Sequence, residues 1–282
     1  MTRKYAQFEK DITRAIANLS GQQLPNCLPI WMRNIGINPG AVIIGATDIG
    51  PYNPKNKTDI LVNLDNSGPL KISVKMQNAD YMGNWYTHTR IVEEFGQNIF
   101  DKITQVVTNW SNQIAHDSSW ENKPFVGVSI SFGKRSGKTG IPLQQIFSED
   151  ECNKIVVAMG AGIGSDDSVA NSLYASDIIP NNVGHLISSL EEMNYDNIVK
   201  FTGDFMLILR PVNPMTEGSN RSKNVFSQFV PNQPLSTQTR VTTMSQLNAL
   251  GSFKTVVNDR LNHNHILNNL EHKNIIVPRK QK

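Results

Sequence analysis

The chain has 282 residues, 39% hydrophobic and 18% charged, with a formal net charge of +3 at pH 7. That length buries a core without staples, and no apolar run is long enough to span a bilayer, so a membrane partner is not expected. Cys27 and Cys152 lie far apart with no Cys or His spaced for a zinc site, and the small positive charge permits nucleic-acid binding without requiring it.

Tyr5, Phe8, Ile12, Ile16 and Leu19 recur at helical spacing and predict an amphipathic helix over residues 4–19, closed by Ser20-Gly21. No apolar leader precedes it, so the expected location is the cytoplasm, or the host cytoplasm for a phage protein. Residues 41–45 predict a short apolar strand and residues 50–57 a loop. A hairpin follows, with alternating runs over 57–64 and 71–77 around the turn formers Asp65, Asn66, Ser67, Gly68 and Pro69. Period-two alternation turns Ile72, Val74 and Met76 to the core and Lys71, Ser73, Lys75 and Gln77 to the polar side. Asp59, opposite in face to Ile60, Val62 and Leu64, then stands to meet Ser73 and Lys75.

Residues 78–90 are dense in amides and aromatics. Trp85, Tyr86 and Arg90 among them are side chains that stack on bases and bond phosphates, or else anchor a core. A helix is predicted over 90–113, with Glu93 and Glu94 where negative charge favours a helix N-terminus. Residues 125–132 predict a strand beside the Lys75 strand. The loop after it carries Lys134, Arg135 and Lys138; its glycine spacing is one residue short of a phosphate-binding loop, leaving contact with a DNA backbone or plain solvation. Residues 152–159 read as an apolar strand, 160–167 as a glycine loop and 168–175 as a helix. Ser165, Asp166 and Asp167 depart from the dinucleotide-binding pattern there. Further on come a helix over 181–193, a strand over 205–211 with 225–230 as its hairpin partner, helices over 244–250 and 256–270, and a basic, mobile tail. His263 and His265 read as surface histidines.

The order Asp59, hairpin turn, Ser73-Val74-Lys75 resembles the PD-(D/E)xK nuclease superfamily over roughly residues 40–130, and Ile72-Ser73-Val74-Lys75 looks like the "ISLK" form of its motif. The first and last motif positions match, and Ser73 stands where the family has a carboxylate. The resemblance implies an α/β (α+β) fold with a mixed central β-sheet flanked by helices: a restriction-endonuclease-like core over 1–200 and a C-terminal extension over 201–282. It implies a metal-dependent DNA endonuclease of phage or restriction-system type, often dimeric in this family. Mg²⁺ would be held by Asp59 and the carbonyl of Val74, and Lys75 would orient the attacking water or offset developing charge. Glu93 or Glu94 would supply the acid missing at Ser73, with Glu9 of the first helix as a further donor. Lys134, Arg135, Lys138, Trp85, Tyr86 and Arg90 would touch DNA. Ser73 equally suits an alternative from another class, a non-catalytic nucleic-acid-binding or virion/assembly protein that keeps the fold.

Overall fold

The computed structural model describes residues 3–50, 57–76, 85–134, 139–160, 169–217, 224–257 and 261–280. The chain is α/β and forms two units, each drawn from two stretches: Met1–Met82 with Ser148–Phe205, and Gly83–Phe147 with Met206–Lys282. Residues 83–147, which the sequence groups with a 1–200 core, cluster instead with the C-terminal segment.

In chain order, the first unit begins with α1 (Arg3–Ala17), α2 (Ile30–Asn34), β1 (Ile43–Asp48), β2 (Ile60–Leu64) and β3 (Leu70–Lys75). The second unit opens with α3 (His88–Phe95), α4 (Gln97–Ile114), β4 (Val128–Gly133) and β5 (Gly140–Pro142). The chain returns to the first unit for α5 (Glu149–Gly160), β6 (Ser172–Ala175), α6 (Val183–Ser188), β7 (Leu190–Glu192) and α7 (Tyr195–Thr202). It completes the second with β8 (Met206–Pro211), α8 (Pro214–Glu217), β9 (Ser227–Pro231), β10 (Thr239–Arg240), α9 (Met244–Asn248), β11 (Gly251–Thr255), α10 (His263–His272) and β12 (Ile275–Ile276). Among the described residues no helix is long and apolar enough to cross a membrane.

The first unit is built on a five-stranded mixed sheet in the order β1-β2-β3-β6-β7. The hairpin turn lets β2 and β3 pair antiparallel, Asn66 adopting a positive φ of 52° in the turn. β6 joins β3 in parallel, with Ser73 opposite Leu173 and Lys75 opposite Ala175. Asn171 pins this junction: its amide nitrogen donates to the Pro69 carbonyl and its Oδ1 accepts from the Lys71 N–H. Ile12 and Ile16 of α1 pack with Ile43, Ile60, Val62 and Ile72, all fully buried. Each such side chain contributes roughly 1.5–3 kcal/mol of burial free energy, an upper figure.

The strand expected over 152–159 is the helix α5. Its signal was a capping box rather than the valine run: the Ser148 Oγ accepts from the Glu151 N–H and the Glu151 carboxylate accepts from the Ser148 N–H. The helix expected over 168–175 lies outside the described residues up to 168, and its described end is the strand β6. Ser172, Leu173 and Tyr174 are all buried there, since a strand inside a sheet shows no alternation. The helix over 181–193 is instead α6 followed by β7.

In the second unit β4 does not neighbour β3. It pairs with β8, which also carries β5. β9 pairs not with β8 but with β11, a strand the sequence reading missed. The tail is docked through Lys280: its N–H donates to the Pro214 carbonyl, and Arg279 pairs with Glu271 at 2.6 Å. His263 is fully buried, whereas His265 is exposed.

The helix expected over 90–113 is two helices, α3 and α4, joined at Gly96. Its φ of 92° and ψ of 164° lie in a region that side chains other than hydrogen scarcely reach. Gly96→Ala should therefore destabilise the protein by about 1–3 kcal/mol in urea denaturation. An unchanged midpoint would mean that this corner relaxes without strain.

Candidate active site

The chain enters β2 through Asp59, whose backbone is held on both sides. Its N–H donates to the Ile72 carbonyl at 2.9 Å, and its carbonyl accepts from the N–H groups of Ile49 and Gly50 at 3.0 and 3.3 Å. The side chain is thereby fixed against β3. Its Oδ2 accepts from the Val74 N–H at 2.8 Å and the Ser73 hydroxyl at 3.3 Å, and lies 3.4 Å from the Lys75 Nζ. Lys75 also donates to the Val74 carbonyl at 3.0 Å. Asp59 and Ser73 are buried, and the Lys75 side chain is only 18% exposed, so solvent screens this charge pair weakly.

The expected meeting of Asp59 with Ser73 and Lys75 is thus present. Ser73, at the position where the family has a carboxylate, donates its hydroxyl to the carboxylate of Asp59. Lys75 occupies the Val74 carbonyl that was expected to serve as a metal ligand.

Two further acids share the field of Asp59. Glu9, on α1, has its carboxyl pushed up to about 7, by burial first, then by repulsion from Asp59, with Lys75 opposing and Asp48 adding to the repulsion. Asp48, at the end of β1, is also raised, by burial and then by Asp59, with Lys10 and the Gly50 N–H opposing. Sequence reasoning missed Asp48. A signal was present, because Asp48 and Asp59 flank one loop between strands that pair antiparallel, which brings such residues together.

Glu93 and Glu94 belong to the second unit. Glu93 is exposed. The Glu94 side chain is 1% exposed and pairs with Arg90 of its own helix at 2.6 Å, a partner that accounts for its burial. Tyr86 is buried against Phe95 and Phe132 with the Arg90 guanidinium over its ring, so it offers no face to a base. Burial raises its hydroxyl's pKa. Trp85 is half-buried, with the Arg210 guanidinium 5.3 Å from its ring centroid. Lys134 is exposed, while Arg135 and Lys138 lie outside the described residues.

A hard divalent cation takes carboxylate and carbonyl oxygens, and Mg²⁺ commonly rests on one or two carboxylates plus waters and substrate phosphate. Asp48 and Asp59 meet that modest requirement. Among the described residues the buried Oδ1 of Asp48 has no hydrogen-bond partner, and both Oδ1 atoms lie at contact distance from where a side-chain carbon on Gly50 would stand. No group of three or more His, Cys, Asp or Glu residues suited to enclosing an ion occurs among the described residues. Comparison with family models, curated proteins and solved structures finds no match to this chain.

The raised carboxyl of Glu9 fixes the sign of a pH effect. Its ordinary value is 4.5 and its folded value about 7, so the folded state holds the proton that the unfolded state has lost between them. The stability that this proton provides is full below the unfolded value and is lost as pH rises through the folded one. Glu9→Gln removes the effect. Between about pH 4.5 and pH 8 the wild type should lose roughly 1–2 kcal/mol more stability than the variant in urea titrations, a figure reduced for the partial exposure of Glu9. Parallel pH profiles would show that Glu9 feels no such field.

Proposed function

We propose that the first unit carries a Mg²⁺-dependent DNA endonuclease centre of the PD-(D/E)xK kind, hydrolysing phosphodiester bonds. The observation that supports this most is the seating of Asp59 Oδ2 on the Val74 N–H, the Ser73 hydroxyl and Lys75. It places an acid from one strand and a lysine from the next at one point, held by backbone as well as side chains. Preorganisation of that kind is what electrostatic catalysis needs.

Bound Mg²⁺ would offset phosphate charge and make a bound water more acidic. The chain's own residues do the rest. Lys75, its ammonium held by Asp59 and the Val74 carbonyl, supplies positive charge near the phosphate oxygen on which charge grows. Glu9, whose carboxyl titrates near neutrality, accepts the proton of the attacking water. The water oxygen bonds to phosphorus and the bond to the leaving oxygen breaks. That oxygen takes up a proton, leaving one end as a phosphate and the other as a hydroxyl.

The neutral Ser73 and the engagement of the Val74 carbonyl by Lys75 support a second reading, a nucleic-acid-binding or assembly protein with no cutting activity.

Cleavage of plasmid, linear and single-stranded DNA with Mg²⁺ separates the two. Asp59→Ala and Lys75→Ala should each slow cleavage by about 10²–10³-fold while leaving DNA retention on a gel unchanged. A folded wild type that binds DNA yet cuts none of the three with Mg²⁺ or Mn²⁺ would turn the assignment to the second reading. Variants that cut as fast as wild type would remove Asp59 and Lys75 from the reaction.

A further inference from the structure

The loop between β1 and β2 closes so that the N–H groups of Ile49 and Gly50 bond the Asp59 carbonyl, and Asp48 pairs in register with Ile60. The end of β1 is therefore set beside the start of β2 by backbone contacts that do not depend on either carboxylate. Of the two Asp59 oxygens, Oδ2 is taken by β3 and Oδ1 faces the other way. A side-chain carbon placed on Gly50 would lie 3.5 Å from that Oδ1 and 3.8 Å from the Oδ1 of Asp48. One oxygen from each carboxylate thus stands at ordinary contact distance from the same point beside Gly50. The Asp48 oxygen is buried with no donor from the described residues, an arrangement that costs free energy unless something positive completes it.

The geometry points to Asp48 as the second acid of the centre: a cation ligand that, with Asp59, takes the place of the carboxylate absent at Ser73. The inference rests on the nuclease reading and deepens it. The replacement comes from β1, two strands from β3 in the sheet order, and not from the helix that holds Glu93 and Glu94. A hard divalent cation seated here takes one oxygen from each aspartate, and water and a phosphate oxygen of the substrate fill its other positions. Lys75 stays on the β3 side of Asp59, its ammonium directed at Oδ2 and the Val74 carbonyl. One carboxylate thus divides its two oxygens between ammonium and metal.

The test is binding of Mn²⁺ to the full chain without DNA, followed by electron paramagnetic resonance of the free ion and by calorimetry, with circular dichroism as the check on folding. Asp48→Asn keeps the shape and removes the charge, and should weaken Mn²⁺ binding roughly tenfold or more. Gly50→Val, which sets a branched side chain against both carboxylate oxygens and leaves the carboxylates themselves intact, should weaken it comparably. Asp59→Asn tests the underlying reading. Mn²⁺ binding lost in Asp59→Asn but unchanged in both Asp48→Asn and Gly50→Val would overturn the role of Asp48 and leave the nuclease centre standing. A wild type that binds no Mn²⁺, or an Asp59→Asn variant that binds as wild type does, would overturn the centre as well.

Discussion

The ladder between β2 and β3 runs over only three residue pairs, from Ile60 opposite Ile72 to Val62 opposite Leu70. Beyond it the neighbour of β3 on that side is a side chain. The Val74 N–H, which a longer β2 would have met with a carbonyl, is met by the carboxylate of Asp59. A carboxylate in that role brings a charge into a buried place, and the charge has to be answered. Ser73 answers with a hydroxyl and Lys75 with an ammonium, so three successive residues of β3 converge on one oxygen. Hydrogen bonds to ionised groups are stronger than neutral ones, and a buried network of this sort holds its members at fixed positions. The site is rigid because a strand edge is completed by an acid.

That arrangement concentrates like charge at one end of the first sheet. The charge of Asp59 raises the proton affinity of both Glu9 and Asp48, Asp48 adds to the effect on Glu9, and Lys75 opposes it there. Crowded carboxylates weaken the folded state, and natural proteins tolerate such conflicts mostly where a site needs them. The second unit shows the opposite policy. There the buried Glu94 carries an ion pair with Arg90, and the same guanidinium lies over the ring of Tyr86.

The parts of this structure that could be read from sequence are those whose signal is local. The hairpin and its face assignment followed from period-two alternation and turn formers, and the first helix from its apolar spacing. What could not be read is which strand lies beside which. β4 is buried throughout and β6 over its first three residues, so neither alternates, and nothing in either run says which of them pairs with β3. The β-branched run in α5 outweighed a capping box formed by Ser148 and Glu151, a case where the end of an element was more informative than its middle. For the site, Asp59 and Lys75 were legible because they sit in one hairpin. Asp48 was not, because its place depends on where β1 ends, and the sequence reading stopped that strand at residue 45. For Tyr86 stacking and core packing were both open, because composition alone does not separate a stacking ring from a packed one, and the ring is packed.

The first sheet cannot be finished locally. Asn171 reaches back across 100 residues to Lys71, and with it the parallel pairing of β6 on β3 closes around the whole of 83–147. Non-local pairing of this kind is slow to form, since the closure entropy of the intervening chain is lost before any contact rewards it. During synthesis the hairpin that bears Asp59 and Lys75 emerges long before its parallel neighbour, leaving the outer edge of β3 unpaired in the meantime. An open strand edge is a template for wrong partners. In the finished fold the same connectivity works in reverse: a single proteolytic cut within the intervening segment would leave two fragments joined by a β-ladder and a shared core, with the carboxylate site on one of them.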